Sequence, residues 1–194
     1  MNLIEKEGDL LDLAEDGEID VIVHQANLEH TFGAGIALAI RRRFPYAYRA
    51  DLRSRFNDPA KLGSFTIGQP SLGAGERGPA IANLYSQTSL YPSHTSYDAM
   101  VEGLTQLRFD LQIYNSTSMP KVKTIGFPFG MGCGLADGDW NVVRAIIESV
   151  FKNSRFDIVI VTLPEIAKRA ELAEQARVNH KHADFWDRKM NTIS

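Results

Sequence analysis

The sequence predicts an α/β fold: a three-layer α/β/α sandwich around a mixed, largely parallel central sheet. Short β-branched runs alternate with segments of helical periodicity, and glycine-rich turns follow two of the runs. Strands that alternate with helices pair in parallel through crossover connections, so helices cover both faces of the sheet. No internal repeat or linker divides the sequence. We therefore expect one domain over residues 1–194, with a core over about 1–178 and a polar tail over 179–194.

The first predicted unit is a strand, a glycine loop and a helix. Residues 20–24 form a β-branched run that follows a segment of acidic residues and glycine, which is typical of a buried strand. Apolar residues then recur at four-residue spacing, which predicts a helix that begins near residues 33–35 and ends at Pro45. The apolar positions of this helix are Ile36, Ile40 and Phe44.

Three further strands are predicted over residues 80–85, 122–127 and 156–163, because each is a short apolar run. A Gly/Pro-rich stretch over residues 68–79 precedes the first of them and predicts an exposed hairpin or loop. A second glycine-rich segment, residues 126–138, follows the middle strand and leads toward a helix.

Helices are predicted between and after these strands. A stripe of apolar residues over 96–114 predicts an amphipathic helix, and a second apolar face follows residue 138. Pro164 suits the first turn of a last helix that runs to about Val178. The residues that mark the two apolar faces are Met100, Leu104, Leu107 and Leu111, then Val143, Ile146, Ile147 and Val150.

Composition and charge exclude several classes of protein. Cys133 is the one cysteine, so neither a disulfide scaffold nor a thiolate zinc site is expected. The first residues carry charges and no long apolar run, which argues against a signal peptide or a membrane anchor. With 21 basic and 24 acidic residues the net charge is −3, which argues against broad, nonspecific binding of nucleic acid. We expect a cytoplasmic protein that contacts no membrane and needs no metal or cofactor.

The two glycine-rich segments predict a site for an anion. Each lies between a strand and a helix, so the backbone N–H groups of both open at the carboxyl edge of the sheet, where they suit a diphosphate. Two unrelated tight turns would place glycines in the same way. From the spacing alone both interpretations stay open.

Four segments of the sequence carry a family resemblance. They are Gly8-Asp9-Leu10; His24-Gln25-Ala26-Asn27 with Gly33-Ala34-Gly35-Ile36-Ala37; Asn83-Leu84-Tyr85-Ser86-Gln87; and Gly132-Cys133-Gly134-Leu135-Ala136-Asp137-Gly138-Asp139-Trp140. In this order they resemble the macrodomains, a family that binds ADP-ribose. The resemblance covers about residues 3–163. It is nearest to the branch of ADP-ribose 1″-phosphate phosphatase-like proteins and mono-ADP-ribosyl hydrolases.

The resemblance implies a binding role for each segment. Asp9 would accept a hydrogen bond from the adenine amino group, the glycine loops would wrap the diphosphate and distal ribose, and Asn27 would bond the distal ribose hydroxyls. From the residues alone, Asp9 is better explained as a helix cap and Asn27 as a turn former. The ligand-binding residues implied are Asp9, Leu10, Gln25, Asn27, Gly33, Ala34, Gly35, Ile36, Gln87, Gly130, Met131, Gly132, Cys133, Gly134 and Leu135.

The catalytic assignment is narrower. One branch of the family uses a lysine–aspartate pair. This chain has Gln87 at the position of that lysine, and a glutamine cannot form a Schiff base. The aspartate position holds Ala136, so we assign chemistry to Asp137, one residue later, and helix capping to Asp139. The catalytic residues implied are Asp137, His24 and Asn27, although a histidine at the end of a buried strand is more simply structural.

Other polar and aromatic residues have a simpler structural explanation. The small Cys133 lets the backbone approach a ligand, which is a better account than a thiol nucleophile. The arginines at 41–43 complement a helix dipole. Tyr85, Tyr91 and Phe129 could stack on ribose or adenine, but isolated aromatics near turns are more often packing residues. The polar tail contains His180, His182, Phe185 and Trp186, for which the sequence indicates no function.

The expected function is binding of ADP-ribose and hydrolysis at its distal ribose. The reaction would remove ADP-ribose from a protein or nucleic acid, or dephosphorylate ADP-ribose 1″-phosphate, and a carboxylate that activates water is its minimum requirement. The expected partners are ADP-ribose and ADP-ribosylated protein or nucleic acid. Gln87 and the shifted Asp137 favour an alternative, a non-catalytic ADP-ribose reader. A regulator that prefers NAD is a third candidate.

Overall fold

The structure, a computed structural model, describes residues 1–88 and 94–169. Six strands form one sheet in the order β1-β6-β5-β2-β4-β3. The strands are β1 (Asn2–Glu7), β2 (Val21–Asn27), β3 (Phe65–Gly68), β4 (Ala80–Gln87), β5 (Thr124–Pro128) and β6 (Asp157–Thr162). Every neighbouring pair is parallel except β3 and β4, which are antiparallel. The predicted mixed, largely parallel sheet is confirmed.

Helices cover both faces of the sheet. They are α1 (Leu10–Glu15), α2 (Gly35–Arg43), α3 (Pro45–Leu52), α4 (Tyr97–Thr117) and α5 (Trp140–Phe151). The first three pack on one face and share an apolar core with residues such as Ile22 and Ile81. The last two pack on the other face against Val21, Leu84 and Phe127. The three-layer sandwich is thus confirmed, and the inner strands β6, β5, β2 and β4 are buried on both faces, which explains their continuous apolar runs.

Three elements were missed by the sequence prediction. The helix that was expected to end at Pro45 ends at Arg43, and α3 begins at Pro45 itself, because a proline at the first helical position has its φ preset and needs no N–H partner. Strand β1 lies at an edge of the sheet, and three of its six residues are charged and four are exposed. Strand β3 has only four residues and lies just before the predicted loop.

The C-terminal predictions are described only in part. Residues 164–169 are helical and follow β6 directly, as Pro164 predicts. The rest of that predicted helix, the tail over 179–194 with His180, His182, Phe185 and Trp186, and also Tyr91 lie outside the described residues. Over the ranges that are described, 1–88 and 94–169, no helix combines the length and apolar character needed to cross a membrane.

The topology places five strand ends along one edge. Strands β1, β6, β5, β2 and β4 run parallel, so their carboxyl ends share an edge of the sheet in that spatial order. From β2 the chain continues to β3 and β4 on one side, and from β5 it continues to β6 on the other. The boundary between β2 and β5 is therefore a topological switch point, where open α/β sheets form crevices for ligands.

Candidate functional site

Two glycine loops lie side by side at the switch point. The first glycine loop, residues 28–34, joins β2 to α2, and the second glycine loop, residues 129–139, joins β5 to α5. Strands β2 and β5 are neighbours, with Val21 opposite Ile125 and Ile22 opposite Gly126. The expectation that both loops open at the same sheet edge is confirmed.

The first glycine loop is shaped by Asn27, the last residue of β2. The Asn27 Oδ1 atom accepts hydrogen bonds from the Glu29 N–H at 2.9 Å and the Thr31 N–H at 3.3 Å. Its Nδ2 atom donates to the Thr31 carbonyl at 3.3 Å. This is the turn-forming role that the residues alone predict. Since an amide nitrogen carries two hydrogens, one is left for another acceptor, and the ribose role of Asn27 stays a prediction.

The helix after this loop begins without a side-chain cap. Ala34 occupies the N-cap position of α2 in an extended conformation, and no described side chain bonds the first turn. By contrast, Asp9 caps α1, Ser96 caps α4 and Asp139 caps α5. The first N–H groups of any helix need partners from outside it. In α2 those groups, at the exposed Gly35 and the residues after it, point to an anion site.

The second glycine loop folds back on itself. Gly130 and Gly132 have φ values of 72° and 77°, a region that residues with a Cβ rarely adopt. The Cys133 N–H donates to the Gly130 carbonyl at 2.9 Å, and the Gly138 N–H donates to the Gly132 carbonyl at 2.9 Å. None of the hydrogen bonds described for this loop uses the N–H groups of Gly130, Gly132 or Gly134. Positive φ at alternate residues turns successive amides inward, which is the geometry of an anion nest.

Thr95 and Gln25 hold the second glycine loop in place. The Thr95 hydroxyl donates to the Gly132 carbonyl at 2.8 Å, and the Thr95 N–H donates to the Ala136 carbonyl at 2.9 Å. Gln25 Nε2 donates to Thr95 Oγ1 at 3.0 Å and to Ser86 Oγ at 3.2 Å. Gln25 therefore supports the loop indirectly, through Thr95. Its predicted contact with ligand stays a prediction.

The two aspartates near the end of this loop differ in role. Asp139 Oδ1 accepts from the Asn141 N–H at 2.8 Å and caps α5, which confirms its predicted structural role. Asp137 is exposed and has a φ of 51°, and no described side chain bonds its carboxylate. The Asp137 carboxylate is thus available to solvent and to a ligand. Burial and the nearby Asp139 raise the pKa of the Cys133 thiol, so that thiol is not activated as a nucleophile.

Asp9 lies at the carboxyl end of β1, where it caps α1 and keeps one carboxylate oxygen without a described partner. Its Oδ1 atom accepts from the Leu11 N–H at 2.7 Å, so the predicted helix cap is confirmed. Oδ2 takes part in none of the hydrogen bonds described for Asp9, so an acceptor remains for a ligand. The Arg43 guanidinium at the end of α2 lies 2.7 Å from Asp12 Oδ1 and 3.7 Å from Asp9 Oδ1. It therefore ties α2 to α1 beside the predicted adenine position.

His24 is fully buried, with no exposed surface. Its Nε2 atom lies 2.8 Å from Asn83 Oδ1, and its ring contacts Phe32 edge-on at 5.0 Å between centroids. Nδ1 is buried without a partner. Burial lowers the pKa of His24 to about 4, so the ring is neutral at pH 7. The side chain reaches neither the ligand edge nor water, and the structure therefore supports its structural role rather than its predicted catalytic one.

A charged cluster beneath the first glycine loop was missed by the sequence analysis. Lys61, only 7% exposed, donates from Nζ to the Leu28 carbonyl at 3.1 Å and lies 4.3 Å from the centroid of the Tyr85 ring. The Tyr85 hydroxyl donates to Oδ1 of the fully buried Asp51 at 2.7 Å. Burial lowers the pKa of Lys61 and raises that of Asp51. No local pattern could have revealed it, because lysine and aspartate are normally exposed.

The remaining predicted residues lie around the two loops. Gln87 ends β4 opposite Asn27 and forms an isolated bridge with Thr95, so it stands beside both loops. Leu135 is 70% exposed at the tip of the second loop, whereas Met131 is buried beneath it. Phe129 lies 4.9 Å from the Trp140 ring. Gly33 and Ala34 end the first loop and Gly35 and Ile36 begin α2; the first three are exposed and Ile36 is half-buried.

Comparison with known proteins identifies relatives of this architecture. No protein-family model matches the chain. A 17.5 kDa protein from the tk-vs intergenic region of Enterobacteria phage T4 is 28% identical over 155 residues, which cover 79% of this chain and 92% of that protein.

Solved structures with the same fold are also found. The macrodomain of Mycobacterium tuberculosis DarG is 22% identical, with a TM-score of 0.64, and the match covers 82% of this chain and 96% of that one. Thermosipho africanus DarTG in complex with ADP-ribose is 18% identical, with a TM-score of 0.61, over 85% of this chain and 42% of that one. At these identities the likeness establishes the fold.

Proposed function

We propose that this chain, which has the macrodomain fold, binds ADP-ribose along the carboxyl edge of its sheet and hydrolyses an ADP-ribosyl derivative at the distal ribose. The observation that carries the proposal is the pairing of two glycine loops at the switch point, with free backbone donors on both. The ADP-ribose complex of the T. africanus protein, which shares the fold, supports the choice of ligand.

The diphosphate would lie between the two loops. The uncapped first turn of α2 and the amides of the second glycine loop would both face it, and both supply partial positive charge without a formal charge. A protein of net charge −3 can therefore hold a diphosphate without a basic patch.

The adenine and the distal ribose would lie at opposite ends of this groove. Asp9 follows β1, and three strand spacings of the sheet separate β1 from β2, which is about 14 Å. That span fits a dinucleotide-like ligand laid across the strand ends, with adenine at the free Asp9 Oδ2 and the ribose at Asn27. A nucleotide without the second ribose would leave the Asn27 end empty.

Asp137 is the proposed catalytic carboxylate. Water would attack C1″ of the distal ribose while the bond from C1″ to the leaving atom breaks, and the Asp137 carboxylate would take the proton from that water. The leaving group would depart with a proton from solvent. Asp137 suits this role because it is exposed and uncommitted, unlike Asp139, which caps α5.

A non-catalytic ADP-ribose reader is the second candidate. Gln87 replaces the lysine that a covalent mechanism needs, and His24 is buried away from the ligand edge. Asp137 would then be the one ionisable group of the proposed catalytic set with access to the ligand. This arrangement would bind ADP-ribose as well as a hydrolase does, but without turnover.

Calorimetric titration with ADP-ribose is the first experiment. We expect saturable binding, and the absence of heat at high micromolar ligand would contradict the proposal. Incubation with ADP-ribosylated protein, ADP-ribosylated DNA and ADP-ribose 1″-phosphate then separates the activities: free ADP-ribose from the first two indicates a hydrolase, and phosphate from the third indicates a phosphatase. Tight binding without any product would support the reader.

Replacement of Asp137 tests the catalytic assignment. We expect Asp137→Asn to lower turnover of the accepted substrate by at least about a hundredfold and to change the ADP-ribose Kd by less than about threefold, because general-base catalysis is lost while the binding amides remain. Asp139→Asn is the matched control, since asparagine also caps helices well. Equal turnover in Asp137→Asn and the wild type would move the chemistry to another group.

A further inference from the structure

The charged cluster beneath the first glycine loop is costly to bury. Lys61 is 7% exposed and Asp51 is not exposed at all. Removing two charges from water has a penalty that their attraction recovers only in part, and a well-packed apolar pair is often as stable. Stability alone therefore does not explain why a lysine occupies position 61. The contacts of its ammonium group indicate what it does.

The Lys61 ammonium is bonded to the first glycine loop itself. Nζ donates to the Leu28 carbonyl at 3.1 Å, and Leu28 directly follows Asn27. The same carbonyl accepts from the Asn57 N–H at 2.8 Å. An apolar side chain at position 61 would leave this carbonyl with one partner fewer in a buried setting. Lys61 thus fixes the peptide that joins β2 to the loop.

The ammonium is in turn positioned by a rigid partner. It lies 4.3 Å from the centroid of the Tyr85 ring, a distance at which a cation is attracted to the ring face. The Tyr85 hydroxyl donates to Asp51 Oδ1 at 2.7 Å, and its oxygen lies 3.1 Å from Ser54 Oγ. These bonds hold the ring, and the Asp51 carboxylate supplies the opposite charge.

A second link runs from the same cluster to the loop. His30 Nε2 lies 2.9 Å from Ser54 Oγ and 4.0 Å from Asp51 Oδ1. His30 has a φ of 55°, a strained conformation for a residue with a Cβ, so its side-chain contacts help to maintain it. Residues 28 and 30 are thus both attached to the cluster, whereas Asn27 bonds residues 29 and 31.

We infer that Lys61 is a positioning residue for the distal ribose, acting through the Leu28 carbonyl to hold the first glycine loop and Asn27 in the shape that receives that ribose. The inference rests on the proposed function and adds to it a determinant of specificity. The adenine would depend on Asp9, and the diphosphate on the second glycine loop and the first turn of α2. The contact described for the Lys61 ammonium is instead at Leu28, beside Asn27. Lys61 therefore affects the part of the affinity that distinguishes ADP-ribose from ADP.

The test compares the affinities of ADP-ribose and ADP, because ADP lacks the distal ribose. By calorimetry we expect Lys61→Met to weaken ADP-ribose binding at least tenfold and ADP binding less than threefold, so that the preference for ADP-ribose is mostly lost. Lys61→Arg, which keeps a buried cationic donor, should retain more of the preference than Lys61→Met.

A control separates this role from a general loss of stability. Tyr46→Phe removes another buried hydrogen bond, the one from the Tyr46 hydroxyl to the Pro79 carbonyl at 2.7 Å, away from the first glycine loop. We expect it to lower the melting temperature without changing the ratio of the two Kd values. If Lys61→Met does not fold, Ser54→Ala, which detaches His30 and Tyr85 from their shared hydroxyl, should shift the ratio in the same direction by a smaller factor.

The outcomes are distinct. Wild-type protein that binds neither ligand would contradict the proposed function and with it this inference. Wild-type protein that prefers ADP-ribose, together with folded Lys61→Met and Ser54→Ala that keep the full preference, would overturn the inference alone. Equal wild-type affinity for ADP and ADP-ribose would also overturn it, because the distal ribose would then contribute nothing to the affinity.

Discussion

The two glycine loops at the switch point are built in opposite ways. The second loop is held by neutral groups, the Thr95 hydroxyl and the Gln25 amide, and leads into a helix capped by Asp139. The first loop is held by Asn27 and by the buried charge of Lys61, and leads into a helix with no side-chain cap. The helix after the second loop is capped by a side chain, whereas the first N–H groups of the helix after the first loop have no side-chain cap.

The difference shows where the shape of each loop is encoded. In the second loop the backbone requires glycine at particular positions: a Cβ at Gly138 would lie 2.7 Å from the Gly132 carbonyl oxygen. In the first loop a Cβ at Gly33 would make only an ordinary contact, 3.8 Å from Thr31 Cγ2, and the shape depends on side chains from β2 and from residues 51–61. Glycines therefore restrict the backbone of the second loop sterically, whereas the first loop depends on side-chain hydrogen bonds.

Gly132→Ala should produce the largest change. Its φ of 77° disfavours a Cβ, and that Cβ would lie 2.9 Å from Thr95 Oγ1 and 3.0 Å from Gln25 Nε2. The left-handed backbone and the overpacking together should lower the free energy of unfolding by about 3 kcal/mol. We expect ADP-ribose affinity to fall as well, because Thr95 and Gln25 position the loop. Urea denaturation and calorimetry measure the two effects.

Gly134→Ala is the matched substitution in the same loop. Gly134 has no positive φ, and a Cβ there would meet nothing within 4 Å. Its stability should stay within about 0.5 kcal/mol of the wild type. If the two variants were equally stable, steric encoding of the second loop would be wrong.

Acidic pH should weaken the support of the first glycine loop through His24, which packs on Phe32. Its pKa is lowered from 6.5 to about 4 in the folded protein, so between these values the unfolded chain binds more protons. Stability is therefore present above the unfolded pKa and is lost as pH falls through this window, by about 2 kcal/mol between pH 7 and 5. The raised pKa of Asp51 has the opposite sign, because that group binds its proton more readily when folded.

Comparison with His24→Gln isolates the histidine contribution, since Asp51 is present in both proteins. We expect the free energy of unfolding of the variant, measured by urea denaturation, to depend less on pH between 7 and 5 than that of the wild type. Parallel pH profiles would show that the folded and unfolded pKa values of His24 are alike.

Ala34→Asp should produce a smaller change in stability. We expect the protein to become more stable and its affinity for ADP-ribose to fall. A carboxylate at this N-cap would bond the open N–H groups of α2 and raise the free energy of unfolding by about 1 kcal/mol. It would also occupy the diphosphate donors and repel the ligand, so ADP-ribose affinity should fall at least tenfold.

Asp139→Ala makes the reverse change at α5: stability should fall by about 1 kcal/mol while affinity changes little. A more stable Ala34→Asp with unchanged affinity would remove α2 from the site.

The parts of the fold that the sequence predicts are those with local causes. The apolar runs of β2, β4, β5 and β6 and the apolar stripes of α4 and α5 are local patterns, and each prediction is confirmed within a few residues. Strand β1 has no such pattern because only its pairing with β6 makes it a strand. Strand β3 is similarly defined by its antiparallel pairing with β4. Pro45 predicts a helix end, but it also begins α3, because a proline is well tolerated at the first position of a helix.

In the site, too, features with local causes are predictable and features that depend on distant residues are not. Glycine positions and helix caps such as Asp9 and Asp139 are local features, and their placement was predicted from the sequence. The burial of His24 and of Lys61 depends on α3 and on the segment before β3, which are distant in sequence from the loop they support. A buried cation leaves no local signature, so the determinant proposed for the distal ribose became visible only in three dimensions.

The contact between Phe129 and Trp140 at the second glycine loop has a practical consequence. Trp140 is the first residue of α5, and its ring lies 4.9 Å from an exposed aromatic neighbour at the start of the loop. Indole fluorescence is sensitive to such surroundings, so occupation of the loop should alter the emission of Trp140. The other tryptophan of the chain is Trp186. Trp186→Phe would therefore leave a protein that reports its own ligand occupancy optically, without any label.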